Sequence, residues 1–263
     1  MDLRIAGKCA LIGASGQGLG LACAQRLAAE GCNVAMCDVN EEALNRGYES
    51  VVSANPGVAV KKYVTDLTRE DQISAMVASV TADIGPVDIL VNNSGGPPPG
   101  TFDTATDEKW IHAYGLTFLS ATRLIRLVLP GMKEKKWGRI INLTSRTLRE
   151  PIANLMISNA VRLAVAGMAK TLAGEVASEG VTVNNVGPGP TSTDRAIQLA
   201  TARAEKKGIS VAQEIEATNA RIPRGRMATP EEIADTVGFL ASDLAGHITG
   251  QSLIVDGGET RAL

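Results

Sequence analysis

Short apolar segments alternate with longer helical segments along nearly the whole chain, and this alternation constrains the fold more than any other feature. The apolar runs of strand length are 8–13, 33–38, 58–64, 87–92, 138–145, 180–186 and 252–257. Most of them are uninterrupted, which is typical of strands buried on both faces. The stretches of helical length between them include 19–30, 41–54, 69–84, 104–129 and 152–178. The pattern predicts an α/β fold with a parallel sheet of about seven strands and helices on both faces.

The length of the chain is compatible with one domain. It has 263 residues, of which 44% are hydrophobic, and α/β folds of this size occur undivided. We therefore expect one domain over residues 1–263. Residues 187–228 are rich in Thr, Arg, Pro and Gly and interrupt the alternation after a strand. Because ligands of parallel sheets bind at the carboxyl ends of strands, this insertion is expected to be a lid over a substrate site.

Charge and hydropathy narrow the possible partners. The chain has 26 basic and 28 acidic side chains, and its formal net charge is -2 without long charged runs. This balance argues against nucleic acid and against an anionic membrane surface as partners. The first residues lack the pattern of a signal peptide, and no apolar run of about 18 residues follows. We expect a soluble, cytoplasmic protein that acts on a small molecule.

The cysteines and histidines do not suggest a metal site. The four cysteines are Cys9, Cys23, Cys32 and Cys37. They lie in apolar surroundings, with no CxxC pair and no histidine cluster nearby, so we expect reduced thiols in the core and no metal.

A glycine-rich turn, "GASGQGLG" at 13–20, connects the first predicted strand to the first predicted helix. Glycines let a backbone approach a diphosphate closely, and the amino terminus of a helix offers free N–H groups with partial positive charge. The position of this turn in the first βαβ unit predicts a dinucleotide site.

Asp38 ends the second predicted strand, 18 residues after Gly20. A carboxylate at this position can accept both hydroxyls of a ribose and repels a 2′-phosphate. The turn itself contains Gln17 and no basic residue, so NAD is favoured over NADP. Asp38 also begins "DVNEEAL", which resembles a helix-capping sequence, and the two roles are compatible.

The chain resembles the short-chain dehydrogenase/reductase family over essentially its whole length. The resemblance rests on "GASGQGLG", Asp66 in "VTDL", "NNSG" at 92–95, Ser145 in "INLTS", "PGP" at 188–190 and "VDGG" at 255–258. It implies a single Rossmann-like, doubly wound sheet and is strongest to the branch of 3-oxoacyl carrier-protein reductases. One departure is that Gly13 and Ala14 stand where the family has Thr-Gly.

The resemblance also implies a set of residues around the cofactor. The glycine turn contributes Gly13, Ser15, Gln17, Gly18, Leu19 and Gly20. Asp66 and Leu67 would border the adenine, and Asn93, Ser94 and Gly95 the cofactor ribose. Pro188, Gly189 and Thr191 would lie on the nicotinamide side, with Arg162 at the nicotinamide ribose.

Three of the family's four catalytic side chains are replaced in this chain. The family uses a serine, a tyrosine thirteen residues later, a lysine four residues after the tyrosine, and an asparagine upstream. Counted from Ser145, these positions hold Ser158, Arg162 and Thr117. An arginine with a pKa above about 12 is a poor base, and a serine hydroxyl is a poor proton donor without an adjacent base.

Two interpretations of these replacements remain open. In the first, Ser145, Ser158 and Arg162 bind and polarise a substrate oxygen while solvent or Tyr114 supplies the proton. In the second, Ser158 is a small helix residue and Arg162 only holds the cofactor ribose. Arg146 and Arg149 follow Ser145 and are candidates for binding an anionic substrate, although arginines are common on surface loops.

The sequence is compatible with three functions. The leading hypothesis is an NAD-dependent oxidoreductase that interconverts an alcohol and a ketone with a modified proton-transfer site. The second is a dinucleotide-binding protein without redox turnover, and the third is a lyase similar to the halohydrin dehalogenases of the family. The resemblance further implies a homotetramer through 104–129 and 152–178, and the apolar character of the latter segment agrees.

Overall fold

Seven parallel strands form one sheet in a computed structural model that describes residues 2–262. The strands are β1 (Cys9–Ile12), β2 (Asn33–Asp38), β3 (Val60–Val64), β4 (Ile89–Asn92), β5 (Gly138–Leu143), β6 (Val181–Pro188) and β7 (Ser252–Val255). Their order is β3-β2-β1-β4-β5-β6-β7, and every neighbouring pair is parallel. The predicted seven-stranded, doubly wound α/β fold is confirmed.

Helices cover both faces of this sheet. They are α1 (Gly18–Ala29), α2 (Glu41–Ala54), α3 (Glu70–Asp83), α4 (Asp107–Ala113), α5 (Ser120–Glu134), α6 (Met156–Val176), α7 (Asp194–Lys207), α8 (Val211–Asn219) and α9 (Pro230–Ala241). Helices α1, α2 and α9 pack on one apolar core, and α3, α5 and α6 pack on the other. Because both faces of the sheet are covered, β1, β4 and β5 consist entirely of buried residues.

The predicted helix over 104–129 is divided and ends later than expected. Helix α4 leads into a π-helical turn over Tyr114–Leu119, and α5 then continues through Pro130 to Glu134. A proline inside a helix removes one backbone hydrogen bond. The buried face of α5, which includes Leu124 and Met132, offsets this loss because it packs on the sheet beyond the proline.

The insertion at 187–228 contains two helices that the sequence pattern did not predict, α7 and α8. Thr193 caps α7 by accepting a hydrogen bond from the Ala196 N–H at 3.3 Å, and Ser210 forms a capping box with Gln213 at the start of α8. The lid role of this segment and the single domain stay predictions.

Strand β1 is hydrogen-bonded to β2 on one side and to β4 on the other. The chain therefore winds in one direction through β3 and in the other from β4 onwards. Ligands of such sheets bind in the crevice at this switch point, beside the carboxyl ends of the strands. The residues that follow β1, β2 and β4 therefore border the expected ligand site.

The cysteines lie in the core, as predicted from their apolar surroundings. The four cysteines are unpaired and buried, and burial raises the pKa of each thiol to about 12. Over residues 2–262, no three His, Cys, Asp or Glu side chains are grouped as metal ligands would be. No helix in the same range has the length and apolar character to cross a membrane.

Candidate active site

The glycine turn is held in place by the side chain of Asn93, which follows β4, and by the hydroxyl of its own Ser15. The Asn93 side-chain amide donates to the carbonyls of Gly13 and Ala14 at 3.1 and 3.2 Å. The Ser15 hydroxyl donates to the Ile12 carbonyl at 3.0 Å and accepts from the Cys37 N–H at 3.0 Å. The Ser15 hydroxyl is buried, is engaged by backbone groups and does not line the cavity described below, so the predicted cofactor contact of Ser15 stays a prediction.

Two glycines of the turn are required by close approach. A Cβ at Gly13 would collide with the Asn93 carbonyl, and one at Gly20 would collide with the Ala14 carbonyl. Neither glycine lines the cavity described below. These two glycines therefore allow the turn to form, but they do not border the cavity.

Ala14, where the family has glycine, adopts a φ of +43°. This left-handed conformation costs an L-residue about 1–2 kcal/mol. Ala14→Gly removes that strain and adds backbone freedom to the unfolded chain, which costs about 0.4–1 kcal/mol. We expect the variant to be more stable by about 0.5–1 kcal/mol in urea denaturation. A loss of stability would show that Ala14 is unstrained.

Asp38 occupies the predicted position at the end of β2. Its Oδ2 accepts from the Gly16 N–H at 3.1 Å and its Oδ1 accepts from the Asn40 N–H at 3.0 Å. Helix α2 is capped by Asn40, whose side chain accepts from the Ala43 N–H at 3.0 Å. The capping role considered for Asp38 therefore belongs to Asn40, and Asp38 lines the cavity between the glycine turn and α2.

A cavity of about 390 Å³ lies at the switch point. Ten of the predicted cofactor residues line it: Gln17, Gly18, Leu19, Asp38, Asp66, Leu67, Asn93, Ser94, Gly95 and Arg162. Unpredicted lining residues include Thr65, Gly96, Thr144, Thr193, Asp194 and Arg195. Its volume lies within the range of about 300–1,000 Å³ that is usual for small-molecule sites.

Arg162 is fixed by neutral partners. Its Nε donates to the Ser158 hydroxyl at 3.2 Å, and its Nη1 donates to the carbonyls of Leu143 and Thr144 at 3.2 and 2.7 Å. Burial, with a further contribution from the charge of Arg195, lowers the pKa of Arg162 to about 10. The guanidinium remains a hydrogen-bond donor at neutral pH.

A second cavity, of about 200 Å³, adjoins the first. Thr144 lines the first cavity, and the next residue, Ser145, lines the second. Likewise, Arg195 lines the first cavity and Ala196 lines the second. Helices α7 and α8 contribute apolar lining, including Ile197 and Ile215. Pro188 and Gly189, which were predicted on the nicotinamide side, line this second cavity, and Thr191 lines neither.

The second cavity contains one buried carboxylate and several guanidinium groups. Glu259, with a side chain only 7% exposed, lies 3.0 Å from Arg146 Nε and 3.7 Å from Arg221 Nε. The Arg146–Glu259 contact lacks the geometry of a hydrogen bond, since Nε and Oε2 are both left without a hydrogen-bond partner. Arg203 also lines the cavity, whereas Arg149 is exposed and lines neither cavity, contrary to its predicted substrate role.

The catalytic candidates are not gathered at one point. Ser145 lines the second cavity, Arg162 lines the first, and Ser158 lines neither because its hydroxyl faces Arg162. Tyr114 is 44% exposed, stacks on Phe118 at 4.9 Å and lines neither cavity. The interpretation in which Ser145, Ser158 and Arg162 jointly hold one oxygen therefore has no support in this geometry.

Thr117 borders a small separate cavity of about 10 Å³. Its hydroxyl and the Asn92 side-chain oxygen are buried without a hydrogen-bond partner, and both residues line this space. A cavity of this size accommodates about one water molecule.

Comparison with known proteins places these features in a family. The family model described as enoyl-(acyl carrier protein) reductase, adh_short_C2, matches residues 13–260. The chain belongs to the short-chain dehydrogenase/reductase family. Ser158 and Arg162 are this chain's residues at the positions where the resemblance placed the family's tyrosine and lysine.

Several members of the short-chain dehydrogenase/reductase family are similar over nearly the whole chain. D-beta-hydroxybutyrate dehydrogenase of Cupriavidus necator is 33% identical, over 96% of this chain and 97% of its own length. A 3-oxoacyl-[acyl-carrier-protein] reductase of Vibrio cholerae is 35% identical, over 97% and 98%. The structure of L-sorbose reductase from Gluconobacter frateurii, complexed with NADPH and L-sorbose, has a TM-score of 0.95, is 33% identical and covers 100% of both chains. The relatives are oxidoreductases.

Sequence reasoning missed Arg195 and Glu259. Arg195 lies in "TSTDR", directly after the "PGP" motif, and Glu259 follows "VDGG". Both positions adjoin motifs already assigned to the site, and this proximity was the available signal.

Proposed function

We propose that this protein is an NAD-dependent oxidoreductase that interconverts an alcohol and a ketone by hydride transfer, with a proton-transfer site that lacks the family's tyrosine. The observation that carries the proposal is that two consecutive residues line two neighbouring cavities. Thr144 borders the cavity at the switch point, and Ser145 borders the cavity beneath α7 and α8. A cofactor in the first and a substrate in the second would meet at this boundary.

The first cavity fits a nicotinamide dinucleotide. At Gly13 and Gly20 the backbone of the turn lies so close to neighbouring carbonyls that only glycine fits. Asp38 places a carboxylate at the end of β2, and Arg162 contributes a buried cation without an acidic partner. When bound, the nicotinamide group supplies or accepts a hydride. Gln17 to Leu19 would border its diphosphate, and Asp38 its adenosine ribose.

The choice of NAD over NADP rests on Asp38. A carboxylate accepts hydrogen bonds from ribose hydroxyls and repels a 2′-phosphate. The structures of L-sorbose reductase and of an actinorhodin polyketide ketoreductase variant both contain NADPH, the cofactor that carries a 2′-phosphate. We propose that Asp38 makes this chain differ from those neighbours.

Ser145 and Arg162 have separate roles in the proposed mechanism. The Ser145 hydroxyl accepts a hydrogen bond from the Thr147 N–H at 3.2 Å, so its own hydrogen is available for a substrate oxygen in the second cavity. Arg162 would orient the cofactor where its nicotinamide ribose joins the diphosphate. No tyrosine lines either cavity within residues 2–262, so water supplies or accepts the proton.

The second cavity favours a small substrate with an apolar body and an anionic group. Arg146, Arg203 and Arg221 line it against the single carboxylate of Glu259. An anionic group would balance the excess of positive charge, and guanidinium groups bind carboxylates and phosphates through paired hydrogen bonds.

A substrate screen tests the proposed activity. Purified protein is incubated with NADH and a panel of 2- and 3-oxo acids, with matched neutral ketones of the same size, and oxidation of NADH is followed at its absorbance band. We expect turnover of at least one oxo acid and slower turnover of its neutral counterpart. Absence of turnover across the panel, with NADH bound, would overturn the redox proposal.

A second function is favoured by one observation. Ser158 is turned away from both cavities and serves only as an acceptor for Arg162. A chain in which the tyrosine position has no access to the substrate would bind a dinucleotide without redox turnover, as a sensor or partner subunit. Tight binding of NADH with no turnover in the same screen is the result expected for this alternative.

We also propose that residues 1–263 form one domain, with 187–228 as its lid, and that the protein is a homotetramer. The tetramer would form through α5 and α6, where Leu127 and Leu163 are 40% and 50% exposed. Burial of such side chains against a second copy is favourable. Sedimentation velocity would show a single species of four chains, and a monomer at micromolar concentration would contradict the proposal.

A further inference from the structure

Two guanidinium groups converge on Gly96 in the loop that follows β4. Arg195, in the first turn of α7, donates from Nη2 to the Gly96 carbonyl at 3.1 Å. A Cβ built on Gly96 would lie 3.6 Å from Arg162 Nη2 and 3.7 Å from Arg195 Nη2. Gly96 thus leaves open the space that a side chain would fill between the two cations, and all three residues line the first cavity.

Neither cation has an acidic partner. Over residues 2–262, no carboxylate oxygen lies within 4.0 Å of the Arg162 or Arg195 guanidinium. The hydrogen bonds of Arg162 go to two carbonyls and a hydroxyl, and that of Arg195 goes to a carbonyl. Burial and the charge of Arg195 both lower the pKa of Arg162. Arg162 is thus a buried cation without an anion, which is unfavourable, and Arg195 is a solvent-exposed cation beside it.

Two of the three acidic residues that line the same cavity are engaged elsewhere. Asp38 accepts from the backbone of Gly16 and Asn40. Asp66 accepts from the N–H and hydroxyl of Thr68 at 2.8 and 2.7 Å. Asp194 also lines the cavity, but it is exposed and forms no ion pair with either arginine. No described side chain of the cavity therefore places a carboxylate against Arg162, and a ligand can supply this charge.

We propose that Arg162 and Arg195 together bind an oxyanion, a phosphate or a carboxylate, in the space beside Gly96. Planar guanidinium groups match the geometry of such oxyanions and form charge-assisted hydrogen bonds with them. Arg195 would exchange its neutral Gly96 acceptor for the oxyanion. The inference deepens the proposed function because the same cavity holds the proposed cofactor.

Two sources can supply this oxyanion, namely the diphosphate of the dinucleotide and a carboxylate of the substrate. The diphosphate is the source we assign, because both arginines line the cavity that contains the glycine turn and neither lines the one that contains Ser145. Because Arg195 belongs to α7, binding of the diphosphate would replace the direct hydrogen bond between α7 and the loop after β4 with a contact to the cofactor.

The test compares Arg195→Met with Lys206→Met. Lys206 lies near the end of the same helix, is exposed and lines neither cavity, so its replacement makes the same change in charge without touching the site. NADH binding is measured by tryptophan fluorescence. Calorimetry measures the binding of adenosine, which has no phosphate, to the free protein. It also measures the binding of malonate to the protein with and without NADH.

We expect Arg195→Met to weaken NADH binding about tenfold or more, as loss of a charge-assisted hydrogen bond predicts, and to leave adenosine binding unchanged. Wild-type NADH affinity should fall with added salt more steeply than that of the variant, because screening weakens the lost charge pair. Lys206→Met should bind NADH as the wild type does.

Other outcomes would identify a different source of the oxyanion or overturn the proposed site. Unchanged NADH affinity in Arg195→Met, with malonate binding to the NADH-loaded protein lost, would support the oxyanion site and assign it to a substrate carboxylate. Unchanged binding of both NADH and malonate would overturn it. If the wild type bound neither NADH nor NADPH, the dinucleotide function would fail, while loss of malonate binding in Arg195→Met would still support the oxyanion site.

Discussion

Ser145→Ala is expected to lower kcat about 100- to 1,000-fold for any ketone that the protein reduces, with the Kd for NADH unchanged within about twofold. Ser145 lies at the boundary between the two cavities, and in the proposed mechanism its hydroxyl stabilises the charge that develops on a substrate oxygen. NADH affinity should not change because Ser145 does not line the first cavity. Steady-state kinetics and a fluorescence titration measure the two quantities separately.

Two serine variants serve as controls for this prediction. Ser192→Ala removes an exposed hydroxyl that lines neither cavity and should leave kcat unchanged. Ser158→Ala removes one acceptor of Arg162 and should lower kcat less than tenfold, as loss of a single hydrogen bond of about 1 kcal/mol predicts. If Ser158→Ala were the more damaging variant, the interpretation in which Ser158 holds the substrate oxygen would be restored.

Gly20→Ala is expected to lower the free energy of unfolding by about 2–3 kcal/mol and to weaken NADH binding strongly. The added Cβ would collide with the Ala14 carbonyl and lie 2.8 Å from the Ser15 Cα, and these are backbone atoms of the turn. The turn must then move, and its carbonyls are tied to Asn93. Urea denaturation and NADH titration measure the two effects.

The matched control is a glycine in open space. Gly174, exposed in α6, has no atom within 4 Å of a built Cβ, so Gly174→Ala should stabilise the protein by about 0.5–1 kcal/mol. Wild-type stability and NADH affinity in Gly20→Ala would show that the close approach to Ala14 is absent in solution.

The strands and the dinucleotide cavity could be predicted because each depends on a local signal. The apolar runs that became β1 and β4 are buried on both faces, and such runs have few alternatives. Asp38 was placed correctly since its position follows from the end of β2.

The errors arose where tertiary packing outweighed local preference. Pro130 favours a helix end, but the buried face of α5 continues through it. The direction of the Ser158 hydroxyl depends on Arg162, one turn away, which in turn depends on carbonyls at the end of β5. Arg195 reaches Gly96 across 99 residues of sequence, and no periodicity or spacing indicates a contact of that range.

The most direct test of the central claim is a fluorescence titration of the wild type and Asp38→Asn with NADH and NADPH. Asparagine keeps an acceptor for the Gly16 or Asn40 N–H and removes the charge. We expect the wild type to bind NADH at least about tenfold more tightly than NADPH, a difference of about 1.4 kcal/mol in binding free energy, and Asp38→Asn to reduce this ratio. Equal or tighter binding of NADPH by the wild type would contradict the assignment of Asp38, and binding of neither would contradict the dinucleotide site itself.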